Sequence, residues 1–126
     1  MYFQIKNTLI ITDPYLFPRN FDSSYENMIK NILAFSKSSK IIVYIPQNKL
    51  NQELFNNVAN HLLTFDINLC HRDRNDFHDR FWICVESKKG FIMGTSLNGV
   101  SRKIFRLDNL YECEVEIVLK ELSLNL

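Results

Sequence analysis

Short apolar, β-branched runs alternate here with stretches of helical spacing, and this alternation most constrains the fold. Residues 6–12, 40–45 and 80–85 are strand-like runs of this kind. Asp13-Pro14 stops the first and Pro46 follows the second. Between them, residues 25–35 carry apolar side chains at helical spacing, behind a possible capping signal at Ser23-Ser24-Tyr25-Glu26. Residues 50–63 place Leu54, Val58, His61 and Leu62 on one helical face, and residues 66–70 read as a short third strand. Strand-helix-strand-helix-strand followed by a hairpin predicts an α/β fold with a mixed β-sheet flanked by helices. The 126 residues suffice for one core and are too few for two, so a single domain over residues 1–126 is expected. Phe3, Leu9, Ile11, Leu33, Ile42, Val43, Ile83 and Ile92 are the expected core. Residues 111–119 alternate apolar and acidic side chains and are read as a final strand, although Tyr111, Val115, Val118 and Leu122 also fit a helix.

The hairpin carries the chemistry. His78-Asp79-Arg80 opens its first strand, Ser87-Lys88-Lys89-Gly90 makes its turn, and residues 90–93 return. Gly94-Thr95-Ser96-Leu97-Asn98 then begins sixteen residues after His78 and is expected beside the start of the first strand. His78 and Arg80 share a face, because side chains alternate along a strand. A histidine can attack phosphorus or protonate a leaving oxygen. An arginine can grip two phosphate oxygens. Ser96 and Asn98 can donate to the others. The set needs no metal or other cofactor, and it suits a phosphodiester. A His-x-Arg triplet alone is common and a Gly-Thr-Ser loop alone is a turn. Their combination carries the reading.

These residues resemble the phospholipase D superfamily, whose signature is His-x-Lys, then an Asp, then Gly-Ser-x-Asn. His78-Asp79-Arg80 matches the first part with arginine for lysine, and Ser96-Leu97-Asn98 matches Ser-x-Asn behind Thr95. Asn109-Leu110-Tyr111-Glu112, ahead of Cys113 and Glu114, is similar to the family's late acidic segment, and Thr12-Asp13-Pro14-Tyr15 to its first strand end. Val85 stands where the family has its aspartate, seven residues after the histidine. Glu86 beside it is expected on the opposite face. The resemblance implies a phospholipase D-like domain. His78 would be the nucleophile forming a phosphohistidine, and Arg80 would hold the non-bridging oxygens. Ser96 and Asn98 would complete the cradle, and Glu112, or failing that Glu114, would orient the histidine. The family pairs two such motifs. One copy here implies a homodimer. The implied function is a metal-independent phosphodiesterase, favoured as a nuclease. The alternative is a degenerate module that binds the phosphates of nucleic acid or acidic lipid headgroups without cleaving them. A scaffold role is a third reading if the chain is a fragment.

Charge and cysteines bound the rest. The formal net charge is +1, so the whole chain is no polycation. Between positions 72 and 106, Arg72, Arg74, Arg80, Lys88, Lys89, Arg102, Lys103 and Arg106 face Asp73, Asp76, Asp79 and Glu86, which suggests a basic face around the motif. The stretch after it is acidic. Cys70, Cys84 and Cys113 are expected as core thiols in a reducing compartment. His61 and His71 are expected to be structural or solvated, and no zinc spacing occurs. No run reaches membrane-spanning length and no signal peptide is visible, so a cytoplasmic setting is expected.

Overall fold

The computed structural model describes residues 6–75, 77, 79–94 and 107–122. They form β1 (Thr8–Thr12), α1 (Ser23–Phe35), β2 (Lys40–Tyr44), α2 (Gln52–Leu63), β3 (Asn68–Arg72), β4 (Arg80–Cys84), β5 (Lys89–Met93), β6 (Leu107–Asn109) and α3 (Glu112–Glu121). The strands make one six-stranded sheet in the order β3-β2-β1-β4-β5-β6. β1, β2 and β3 are parallel, and β4, β5 and β6 add as an antiparallel meander on the other side of β1. The fold is therefore mixed α/β.

The chain steps from β1 to β2 to β3 in one direction, so crossovers of one hand put α1 and α2 on the same face. There Leu9, Ile11, Ile41, Val43, Trp82 and Met93 pack against Ile29, Leu33, Leu54, Val58 and Leu62. The alternate strand residues Ile10, Ile42, Phe81 and Ile83 face the other way and are covered by Val115 and Val118 of α3 and by Leu122, which follows it. Of the expected core, Leu9, Ile11, Leu33, Ile42, Val43 and Ile83 are buried, Ile92 is half-buried, and Phe3 lies outside the described residues.

The final segment corrects the sequence reading. Residues 111–119 belong to a helix, not a strand, because the second sheet face needs a cover and the helical set Val115, Val118, Leu122 supplies it. Ile117, apolar in the alternating pattern, is exposed. The Tyr111 N–H donates to Glu114 Oε1 at 2.9 Å, closing the first turn of α3. β3 begins two residues later than expected, because Thr64–Asp66 still turn out of α2, with Asp66 at φ 59°. The cap of α1 is Asp22, whose carboxylate accepts from the Tyr25 N–H at 2.8 Å, one residue before the expected signal. In the β4–β5 turn the left-handed residue is Lys88, at φ 53°. Gly90 is required for space instead: a Cβ there would lie 2.6 Å from the Trp82 carbonyl oxygen.

Candidate functional site at the carboxyl edge of the sheet

Arg72, Tyr44, Thr12, Phe81, Ile92 and Asp108 form one row across the sheet. Just beyond it lie the carboxyl ends of β1, β2, β3 and β5 and the entrance to β4. The connections leaving β1 and β3 diverge to opposite sides of β1 here, and such a switch point is where open α/β sheets bind ligands.

Arg80 stands at this edge as the first residue of β4, paired with Met93. It shares a side-chain face with Trp82, the face covered by α1 and α2. Asp13, next after β1, is fully buried, and its carboxylate accepts from the Tyr15 N–H at 3.0 Å. Burial first, and the charge of Asp13 second, raise the pKa of Tyr25. The Tyr25 hydroxyl donates to the Leu16 carbonyl at 2.6 Å and so pins the loop after β1. Tyr15 itself is 43% exposed. The Arg80 guanidinium carbon lies 6.0 Å from its ring centroid, and Lys49 Nζ lies 4.8 Å from the same centroid and donates to its hydroxyl at 3.2 Å. Two cations thus lie beside one exposed aromatic ring, and the backbone N–H of that same residue donates to a buried carboxylate.

Of the residues expected at the site, the structure describes Arg80 and Glu112. His78, Ser96 and Asn98 lie outside the described residues. The flanking residues Phe77, Asp79 and Gly94 are described, and Gly94 directly follows the Met93–Arg80 pair. Glu112 is not beside Arg80. β6 runs away from the carboxyl edge, its Asn109 pairing Phe91, and the Leu110 N–H donates to the Gly90 carbonyl. Glu112 therefore opens α3 near the hairpin turn, about 13 Å of strand away from Arg80. Glu114 is used in closing the helix turn. His78, which Glu112 was expected to orient, lies outside the described residues, so only the separation of Glu112 from Arg80 is described. Asp13 and Tyr15 were read only as a strand end similar to the family's, not among the candidate site residues, and Lys49 was not singled out. A carboxylate ending an apolar strand marked Asp13, while Lys49 has no local signal, because the fold brings it in from the turn after β2.

The expected basic face is also divided. Lys88 sits at the opposite edge, bonded to Glu116 Oε1 at 2.7 Å, which raises its pKa. Arg74 belongs to the α3 face, donating to the Glu121 carbonyl at 3.3 Å. Arg102, Lys103 and Arg106 lie outside the described residues. Cys84 and Cys113 are exposed rather than core thiols, because one ends β4 and the other lies on the outer side of α3. His71 is structural: its Nε2 donates to the Ile45 carbonyl at 2.7 Å and its ring meets Phe55 edge-on. His61 packs edge-on against Phe65. Among the described residues, no three histidine, cysteine or acidic side chains come together in a metal-binding group. No described helix is long and apolar enough to cross a membrane.

The chain matches no family model and no curated protein.

Proposed function

We propose that this chain is a phospholipase D-like phosphodiesterase that acts on nucleic acid in the cytoplasm, as a homodimer and without a metal. The observation that carries the reading is Arg80, half-buried at the carboxyl edge of the central strands, on one face with buried Asp13 and against the exposed ring of Tyr15. A guanidinium there offers a planar fork to phosphate, and an exposed aromatic beside two cations suits stacked bases threaded along a phosphate backbone. Three free thiols support a reducing setting. In this reading His78 attacks phosphorus and forms a P–N bond as the P–O bond to the leaving group breaks. The partner copy's histidine gives that oxygen its proton. Water then attacks the phosphohistidine, returns a proton to that second histidine and frees His78. Arg80 holds the non-bridging oxygens throughout, with Ser96 and Asn98 completing the cradle.

The second reading is a phosphate-binding module without turnover, for nucleic acid or acidic headgroups. The location of Glu112 favours it, since the expected orienting carboxylate is at the wrong edge. Incubation of the purified chain with labelled single- and double-stranded DNA, RNA and phosphatidyl substrates in chelator tests both readings. The enzyme reading expects cleavage of a nucleic acid that His78→Ala abolishes and that Arg80→Ala reduces together with binding. Cleavage at the wild-type rate by folded His78→Ala overturns it. Saturable binding without cleavage establishes the module.

A further inference from the structure

Among the described residues, two hydrogen-bond donors on one face of β4 have no acceptor. Arg80 Nε is buried, although the residue as a whole is half-exposed, and Trp82 Nε1 is buried in a residue only 7% exposed. Among the described residues, neither atom has a hydrogen-bond partner. An unmet buried N–H is costly, and more so on a charged group, so native proteins leave few of them. The two are not scattered. Arg80 and Trp82 are two apart on one strand, so their side chains leave the same face about 7 Å apart. An indole is long enough to span that interval. Its ring is fixed in place, stacked on Phe91 with centroids 5.9 Å apart and planes 13° apart. Phe91 pairs Trp82 across the ladder, so the indole is held by its strand neighbour, and the bare N–H is not the result of a loose side chain.

We infer that the Arg80 Nε–H and the Trp82 indole N–H together form a donor pair for the anionic oxygens of a phosphate ester. This inference rests on the phosphate reading of the edge and adds a residue to it. Trp82 supplies a neutral, rigid, dehydrated donor beside the charge of Arg80. A neutral donor adds hydrogen-bond strength to a monoanionic diester without adding the charge that would hold inorganic phosphate more tightly. The pair also explains an indole at a core position where phenylalanine would pack without an unmet donor.

Trp82 is the only tryptophan in the chain, so its indole gives one nitrogen–proton resonance that needs no assignment. The experiment titrates the whole chain with dimethyl phosphate, and in a separate arm with inorganic phosphate, at constant ionic strength set by chloride. The backbone amides of Asp79 and Phe81 report binding at the edge independently. The inference expects the indole resonance and these amides to move with one saturation curve. It also expects Trp82→Phe to weaken dimethyl phosphate binding about tenfold, the loss of one hydrogen bond to a charged acceptor. Arg80→Lys, which keeps the charge and removes Nε, is expected to lessen the indole shift. If the amides move and the indole does not, or if Trp82→Phe binds as wild type does, the donor pair is overturned and the phosphate reading stands. If neither moves at saturating ester, both fall.

Discussion

At the end of β1 the Thr12 hydroxyl donates to the Asp79 carbonyl at 2.9 Å and accepts from the Phe81 N–H at 2.9 Å. Both flanks of Arg80 are therefore tied to β1 by one side chain, itself buried. Thr12→Val keeps the shape and removes both bonds, leaving a buried N–H unmet. Its expected cost is about 1–3 kcal/mol, read as a lower urea midpoint. It is also expected to weaken phosphate binding at denaturant-free conditions where the variant is fully folded, because Arg80 loses its placement. Thr12→Ser is expected to restore most of both. A Val variant with wild-type affinity would show that Arg80 is positioned by other contacts. At this scale the sequence was partly legible. Arg80 could be placed on an apolar strand beside a histidine, and Asp13 closed a strand. That Thr12 braces Arg80 was not visible, because the pairing of β1 with β4 joins residues nearly seventy positions apart.

Among the elements, β1, β2, α1, α2 and the β4–β5 hairpin were readable because each carries its own period and stop signals. The last element was not. Glu112, Glu114 and Glu116 alternate with Cys113, Val115 and Ile117, a pattern of period two, yet tertiary demand for a cover over Ile10, Ile42 and Phe81 decides for a helix. β6 was missed because its three residues are all exposed and only Leu107 among them is apolar. Glu86, expected merely to face away from the motif, fastens the start of β1. Its carboxylate accepts from the Thr8 N–H at 2.6 Å and the Thr8 hydroxyl at 2.9 Å. Desolvation raises the Glu86 pKa, but the bonds from Thr8 outweigh it, and the net value lies below the ordinary 4.5. A depressed carboxylate stabilises the fold above its unfolded pKa, and that contribution is lost as pH falls through the folded value. Glu86→Gln keeps an acceptor but cannot titrate. The difference in urea midpoint between wild type and Glu86→Gln is expected to hold at about pH 6 and to shrink towards about pH 3. A difference constant over that range would mean that the Glu86 charge contributes nothing.

For the molecule as a whole, the number of motifs sets the question. In the proposed mechanism, one copy of the histidine–arginine pair per chain would supply a nucleophile but no second histidine to protonate the leaving oxygen. A two-fold axis passing near the carboxyl edge would supply it from an identical chain, and an isologous contact there closes on itself. The exposed ring of Phe21 lies in the loop that leaves β1 at this edge, and such a contact would cover it. Light scattering is therefore expected to give twice the monomer mass at micromolar concentration. Activity gives a sharper test. Wild type and His78→Ala co-expressed in equal amounts would assort at random, so about one dimer in four would carry two histidines. If each site draws on both chains, activity per total protein falls to about one quarter of wild type; if each chain acts alone, it falls to about one half. A value of one half, or a strict monomer that still cleaves, would overturn the paired site. A strict monomer that binds phosphate and does not cleave would leave the chain as the binding module.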